Sequence, residues 1–280
     1  MAWSLPVTVN KKGTTVLRGI ILAGLGALVL PGAALAQDDT QPDEMKLSGS
    51  LLGGYSNYSS PQLHIGTVNA AGSALFTIDD PGFNLQANFN NTDVFSAAFR
   101  GAEWSYGGDA FWRDRSGSIG LNITSREASD GSHADFMNYG GFGQWFLFSN
   151  VTLQLKGGWL AGRYQGQYGD LGAIIYPYSF LALELSADYA KDTRFGPDLR
   201  DLALNAEFLP VRNVPVTFAL GYSRAQYRHL INSGTPDDDI FSISVKFYFG
   251  GGANDTLVDY QRKGPVDWDG PPPGMIEFAY

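Results

Sequence analysis

The sequence predicts an all-β fold, an antiparallel up-and-down β-barrel of about 12 strands that crosses a membrane. Three observations predict it. Apolar and polar residues alternate with a period of two in many segments, and each segment is about 9–14 residues long. Beyond residue 36 no uninterrupted apolar run reaches the length of a membrane helix, and groups of turn-forming residues separate the segments.

The composition excludes several classes of protein. Of the 280 residues, 44% are hydrophobic, 17% charged and 14% aromatic, 35 are glycine and none is cysteine. Low charge with many aromatic residues argues against a disordered chain, a coiled coil and a nucleic-acid-binding module. Without cysteine there is no disulfide scaffold, zinc finger or cysteine nucleophile. We therefore expect no cofactor, no metal site and no nucleic-acid partner.

Residues 1–36 have the pattern of a secretory signal peptide. Three basic residues precede an uncharged apolar run over 19–30, and Ala34-Leu35-Ala36 fits the small-x-small cleavage pattern. An uncleaved helical anchor is the alternative, but the run is short for a membrane span. Cleavage after Ala36 removes three bases and no acid, so the net charge of −9 becomes −12 in the mature chain. Residues 37–45 then form an acidic N-terminal segment.

The alternating segments divide residues 46–249 into strands and connections. The predicted strands are 46–57, 68–78, 83–91, 101–112, 116–126, 135–148, 151–164, 170–177, 180–190, 200–208, 215–226 and 239–249. Every second connection is a short turn, and the others are predicted to be long polar loops at 58–67, 92–100, 127–134, 165–169, 191–199 and 227–238. Short turns on one rim and long loops on the other are typical of membrane barrels.

The two faces of the strands differ in polarity. The larger apolar side chains are predicted to face outward, as in the strand that carries Phe83, Leu85 and Phe89. The opposite face is predicted to line the lumen with Asn84, Gln86, Asn88, Glu103, Asp109, Asn122, Gln154, Lys156, Glu184, Asp188, Asn205, Glu207 and Lys246. A charge facing lipid at mid-membrane costs about 2–4 kcal/mol, which explains this sorting if lipid surrounds the barrel. A water-soluble carrier barrel would have the opposite polarity.

Aromatic residues gather near the predicted strand ends. Amphipathic rings prefer the depth of the lipid headgroups, so two aromatic girdles are expected. One girdle, near the long loops, comprises Tyr55, Trp104, Tyr189, Tyr222 and Tyr227. The other, near the short turns, comprises Trp112, Trp145, Phe148, Tyr178, Phe208 and Phe249.

The last predicted strand carries the most specific pattern. Phe241, Ile243, Val245, Phe247 and Phe249 alternate and end on an aromatic residue. In this respect the chain resembles the outer-membrane β-barrels of Gram-negative bacteria over residues 46–249, with a porin-like architecture. The resemblance implies an assembly signal in these five residues, read by the barrel-assembly machinery, and outer-membrane lipids as surroundings. Unlike most such proteins, this chain continues for 31 residues past the final aromatic residue.

The C-terminal tail, residues 250–280, differs from the barrel. It contains three consecutive glycines, three consecutive prolines and no sustained periodicity. With an even number of strands both chain ends lie on the periplasmic side. We expect a loosely ordered Pro/Gly-rich extension; a small plug, or a peptide that docks a periplasmic partner, is the alternative.

Three functions are compatible with these features. The first is a narrow porin-like channel for passive diffusion of small hydrophilic solutes, with a mild preference for cations because the lumen leans acidic. The second is a hydrolase of lipid or peptide at the loops, where His64, His133 and His229 lie, although a catalytic triad needs convergence in space. The third is a structural or binding barrel with a plugged lumen. We expect the channel and no enzyme activity.

Overall fold

The structure is a computed structural model. It describes residues 46–59, 64–78, 82–95, 100–128, 136–162, 165–193, 198–228, 237–252 and 254–267. For Arg100, Tyr227 and Arg228 only the backbone is described. The predicted signal peptide and the acidic segment that follows it lie outside these residues.

Within the described residues the chain forms twelve β-strands and one short helix. They are β1 (Lys46–Ser59), β2 (His64–Thr77), β3 (Gly82–Phe95), β4 (Arg100–Arg113), β5 (Gly117–Ala128), β6 (Phe136–Leu147), β7 (Val151–Gly162), β8 (Gly166–Tyr178), β9 (Leu181–Asp192), β10 (Asp198–Phe208), β11 (Val216–Arg228), β12 (Asp237–Phe249) and α1 (Leu257–Lys263). Each strand pairs antiparallel with its sequence neighbours, and β1 pairs with β12 from Gly49↔Phe249 to Ser59↔Asp239. The predicted closed up-and-down barrel is confirmed.

The two rims of the barrel are named by their connections. The turn side carries connections 78–81, 114–116, 148–150, 179–180 and 209–215, together with the start of β1 and the end of β12. The loop side carries connections 60–63, 96–99, 129–135, 163–165, 193–197 and 229–236. Among the described residues, no helix has the length and hydropathy required to cross a membrane.

The predicted contrast between short turns and long loops is smaller than expected. Connections of the loop side span three to eight residues, and those of the turn side span two to seven. The strands extend into the predicted loops, as where Lys191 of β9 pairs with Asp198 of β10. Backbone pairing needs no apolar side chain, and a strand that rises above the lipid carries polar residues on both faces. The hydropathy pattern therefore ends before the hydrogen-bonded ladder does.

The polarity of the two faces follows the prediction. Outward side chains of β10 and β11, such as Leu204 and Leu220, are 55% and 62% exposed. Inward polar side chains such as Asn84 and Thr217 are buried. The outward apolar side chains form a belt that is exposed on this chain, and such a belt suits contact with hydrocarbon.

Aromatic side chains lie on the outer face near both rims. Tyr55, Trp104, Tyr189 and Tyr222 are exposed near the loop side, as are Trp112, Trp145, Phe148, Tyr178 and Phe208 near the turn side. Phe249 is partly buried, and the side chain of Tyr227 lies outside the described residues. Neighbouring rings pack together, as in the parallel stack of Tyr178 on Phe180 with 5.2 Å between ring centroids. Such rings fit the interfaces on either side of the belt.

Candidate functional site

The bore is filled along β3 to β6. Asp109 accepts hydrogen bonds from the side-chain amides of Asn88 and of Asn122, the latter at 2.6 Å. Phe111 packs edge to face against Phe142, with centroids 5.6 Å apart. A Cβ atom at Gly120 would lie 2.3 Å from the Cβ atom of Phe111, so this glycine makes room for the ring. Gly120 therefore adds no open space to the bore.

A buried ion pair stands in the same half of the bore. Arg126 lies 3.3 Å from Glu103, and both side chains are nearly inaccessible to solvent. Burying two charges away from water costs free energy, and only a close ion pair such as this one compensates for that cost. Glu103 is among the predicted lumen residues, whereas Arg126, the inward-facing charge on β5, is not.

An open chamber occupies the other half of the bore. Its volume is about 360 Å³, and most of its wall comes from β7 to β12. The wall strands contribute five carboxylates (Asp170, Glu184, Asp188, Asp201 and Glu207) and one lysine, Lys156. Asp188 is the cross-strand partner of both Asp170 and Asp201, so three neighbouring strands place a carboxylate at one depth. Lys156 lies 3.4 Å from Asp170.

The predicted lumen residues fall into three groups. Gln154, Lys156, Glu184, Asp188, Asn205 and Glu207 border the chamber. Asn88 and Lys246 border a smaller cavity of about 120 Å³ nearby. Asn84, Gln86, Glu103, Asp109 and Asn122 face inward but are 2–6% exposed, within the filled half. Asp170 and Asp201 were missed, although each lies on the inward face of an alternating strand.

The C-terminal tail enters the bore from the turn side. Residues 254–267, named the plug segment, include α1. Thr256 caps this helix: its hydroxyl accepts the backbone N–H of Asp259, and the Asp259 carboxylate accepts the backbone N–H of Thr256. The expectation of a loosely ordered extension is wrong for these residues. The Thr-x-x-Asp pattern at 256–259 was the sequence signal that could have found the helix.

Hydrogen bonds of the capping box affect the charge state of Asp259. Partial burial alone would raise the pKa of this carboxyl. Hydrogen bonds from the Thr256 hydroxyl and backbone, with Lys263 nearby, outweigh burial and hold the pKa below its usual value. The ionised carboxylate in the first turn also suits the positive end of the short helix.

One side of the plug segment docks on β8 to β12 by apolar contact. Leu257 has no exposed surface and lies in a buried cluster with Ile174 and Leu209. The ring of Tyr260 stacks on Tyr248 of β12, with centroids 4.8 Å apart and planes 12° apart. The side-chain amide of Gln261 donates to Glu207 at 2.7 Å.

The other side of the plug segment docks by polar contacts. Arg262 donates to the carbonyl oxygens of Phe148 and Val151, at 3.1 and 2.7 Å, and to the Thr152 hydroxyl at 3.2 Å. Its guanidinium also lies 5.0 Å from the centroid of the Phe146 ring. This single side chain therefore ties α1 to the turn between β6 and β7.

The segment after α1 reaches the opposite wall. The side chain of Gln86 on β3 donates to the carbonyl oxygen of Val266 at 2.7 Å and accepts its N–H at 2.8 Å. Arg113 of β4 donates to the carbonyl of Lys263 at 2.7 Å, and Lys246 of β12 pairs with Asp267 at 2.7 Å. Strands β3 and β10 are far apart around the barrel, so a segment that contacts both crosses the bore.

Apolar side chains surround the bore at the loop side. They face inward near the loop-side ends of their strands, are at most 9% exposed, and are named the collar: Tyr58, Ile65, Phe136, Leu160, Tyr168, Ala190, Leu199, Ala225 and Ile240. These residues were not predicted, because an isolated apolar residue at a strand end adds little to a period-two pattern.

The predicted catalytic alternative finds little support in the described residues. The hydroxyl of Ser59 lies 3.1 Å from His64 Nδ1 at the loop side, and both residues are accessible. In this part of the chain no carboxylate hydrogen-bonds to His64 to orient it, as a triad requires. His133 and His229 lie outside the described residues. Across the described ranges, no group of three or more His, Asp or Glu side chains is arranged to hold a metal ion.

The predicted assembly signal lies on the outer face of β12. Phe241, Ile243 and Val245 are exposed, while Phe247 and Phe249 are partly buried. Beyond Phe249 the chain turns inward at Gly250, whose φ of 76° favours glycine, and leads into the plug segment. Recognition of this strand by the assembly machinery stays a prediction.

Comparison with known proteins places the fold. No protein-family model matches the sequence, and no curated protein does. A crystal structure of an outer membrane channel from Pseudomonas putida F1 is similar, with a TM-score of 0.54 and 11% identity over 78% of this chain and 99% of that one. A KdgM porin, with a TM-score of 0.48 and 11% identity, covers 71% of this chain and 99% of its own.

The likeness to the Pseudomonas putida channel agrees with features of the barrel itself. The sheet is closed, its outer belt is apolar and exposed, and aromatic rings flank that belt. Monomeric soluble proteins rarely expose contiguous apolar surface of this extent, and such surface marks contact with a membrane or another protein. The chain therefore has the fold of this outer membrane channel, and its exposed apolar belt is consistent with a barrel that contacts lipid.

Proposed function

We propose that this protein is a passive channel for small solutes in the outer membrane and that it prefers cations. The observation that carries the proposal is the chamber of about 360 Å³, whose wall is polar although lipid-facing residues surround it. A barrel needs no polar lining to be stable, since a packed apolar interior would serve equally well. A wall of carboxylates, amides and hydroxyls instead suits water and hydrophilic solutes.

The charge of the wall supports a preference for cations. Five carboxylates face one lysine among the wall strands of the chamber. Asp170, Asp188 and Asp201 are direct cross-strand neighbours, an arrangement of like charges that destabilises a sheet unless cations or water lie beside it. A cation beside these carboxylates would offset their mutual repulsion, whereas an anion would itself be repelled by them.

The experiment is a measurement of ion current through the purified full-length protein in planar bilayers. We expect discrete conductance steps and, in a KCl gradient, a reversal potential displaced towards that of potassium. Asp188→Asn should reduce this displacement because it removes the middle carboxylate of the three. Asp114→Asn is the matched control, since Asp114 lies in the exposed turn between β4 and β5 and not in the bore.

The plug segment favours a second candidate, a closed structural barrel. It crosses the bore and contacts β3, β4, β7, β10 and β12. The same bilayer measurement on Arg262→Ala, which loosens the plug, separates the two functions. Conductance in either the native chain or this variant supports the channel. If neither conducts while both remain folded barrels that shift on a heat-modifiability gel, the structural barrel is the correct function.

A further inference from the structure

The loop-side mouth of the bore has a chemistry opposite to that of the chamber beneath it. In the strand register, Tyr58 lies opposite Ile65 on one side and Ile240 on the other. On the other side of the barrel, Leu199 of β10 is the cross-strand partner of Ala190 of β9, and Ala190 is the cross-strand partner of Tyr168 of β8. These pairings join collar residues of neighbouring strands into two apolar groups. On the side of β4 and β5 the buried Arg126–Glu103 pair takes the place of apolar side chains, so the collar covers most of the mouth but not all of it.

Burial shows that the collar excludes water. Ala190 has no exposed surface, and Leu199 and Ala225 are 1% exposed, although all three face the bore. Two residues further towards the turn side, Asp188 on β9 and Asp201 on β10 are only partly buried and border the chamber. The bore is therefore wet at mid-depth, whereas its loop-side mouth is closely packed and mostly apolar, with the buried charges of Glu103, Arg126, Asp192 and Asp238 among the apolar side chains.

A dry apolar constriction discriminates between solutes by the polarity of their surfaces. Water leaves such a constriction readily, and a hydrated ion or sugar that enters must lose hydrogen bonds that apolar walls do not replace. A solute with an apolar face instead exchanges water for contact with the collar, which is favourable. Size alone would not distinguish these solutes, because the cost arises from polar surface.

We propose that the collar is the selectivity barrier of this channel and that the solutes it favours are small organic cations with an apolar face. The inference rests on the proposed channel function and specifies its substrate class. The apolar face of the solute crosses the collar in contact with Leu199, Ile240 and Ile65. Its cationic group then meets the carboxylates of the chamber, which lie directly beneath.

The test compares two cations that are similar in ring size and charge but differ in apolar surface, benzylammonium and protonated glucosamine. Bi-ionic reversal potentials at pH 6 give the permeability of each relative to potassium, in the native chain and in the Arg262→Ala background. We expect benzylammonium to be favoured by about tenfold, the effect of roughly two methylene groups of apolar contact.

The collar variant is the double substitution Leu199→Asn with Ile240→Asn, which wets the mouth at similar side-chain volume. We expect the preference for benzylammonium to fall from about tenfold to about twofold or less, since the apolar contact is lost. Leu52→Asn is the matched control: Leu52 borders the chamber below the collar, and the preference should persist there. A heat-modifiability gel verifies that each variant is a closed barrel.

The outcomes separate this inference from the proposed function. A preference for benzylammonium that the collar variant abolishes and Leu52→Asn retains supports the collar as the barrier. If the channel conducts potassium but glucosamine permeates as well as benzylammonium, or if the collar variant keeps the native preference, the inference is overturned and the channel stands. Absence of any current in native and Arg262→Ala proteins overturns the channel function itself.

Discussion

The two mouths of this barrel are narrowed in opposite ways. At the loop side the wall strands themselves supply apolar side chains, such as Leu199 and Ile240, that bury one another. At the turn side a separate stretch of chain crosses the bore. It is held by the apolar contacts of Leu257 and by directional contacts, among them three hydrogen bonds from Arg262.

The difference indicates which closure can open. Each polar contact of the plug segment exchanges for a contact with water when the segment withdraws, so its net contribution is only about 0.5–1.5 kcal/mol. The collar belongs to the strands and cannot withdraw without breaking the sheet. We therefore expect the plug segment to control whether the bore is open and the collar to control what passes.

The largest effect should come from fixing the plug segment to the wall. The chain has no cysteine, so Tyr248→Cys with Tyr260→Cys introduces the only two thiols, at positions whose rings stack 4.8 Å apart. A short bis-methanethiosulfonate reagent should abolish single-channel openings, and dithiothreitol should restore them. Each single cysteine variant treated alike is the control. Openings that continue after verified cross-linking would show that the plug segment does not close the bore.

Loosening the plug segment should have the next largest effect. Arg262→Ala removes three hydrogen bonds, about 3 kcal/mol of docking free energy in total, which raises the open fraction roughly a hundredfold. Single-channel recordings of opening frequency measure it. Arg115→Ala is the control, because Arg115 is exposed in the turn between β4 and β5. Equal opening frequencies in the two variants would contradict the role given to Arg262, and the collar preference should be the same in both.

The smallest effect should come from the cap of α1. Thr256→Ala removes the cap and costs about 1 kcal/mol of helix stability, or roughly a fivefold increase in opening frequency. Acid should act similarly: the pKa of Asp259 is lowered from 3.8, so its contribution is present above that value and is lost as the pH falls through the lower, folded value.

Opening frequency as a function of pH tests the acid effect. Asp259→Asn should remove this component of the acid response. Asp114 is the control carboxyl: hydrogen bonds from the Ser116 side chain and backbone lower its pKa also, but it lies in a turn away from the plug segment. An Asp114→Asn variant that loses the same acid response would assign it elsewhere.

The period-two pattern predicted the fold well because alternate residues of a strand face its two environments, the outside of the barrel and the bore. Leu204 and Asn205 are neighbours in sequence and lie on opposite faces of β10, one exposed to the outside and one bordering the chamber. Alternation of this kind needs only the geometry of the pleat. The strand ends were harder to predict, since Lys191 and Asp198 keep the backbone ladder although their side chains carry no apolar signal.

The site was predicted only in part because burial depends on partners distant in sequence. Asp109 and Glu184 both lie on inward faces, yet one is enclosed by Asn88 and Asn122 while the other borders open space. Nothing in the segment around Asp109 indicates that Phe111, Phe142 and the neighbouring amides fill that half of the bore. Likewise Gln86 and Val266 are 180 residues apart and meet only because the barrel closes.

The sequence by itself determined the closed sheet of about twelve strands and its apolar outer face, because each depends on the period-two order of apolar and polar residues along one strand. The tertiary structure alone decided where the bore is filled, open or blocked. Those features depend on side chains from opposite walls and on a tail that folds back inside, and such contacts exist only after the first and last strands have paired.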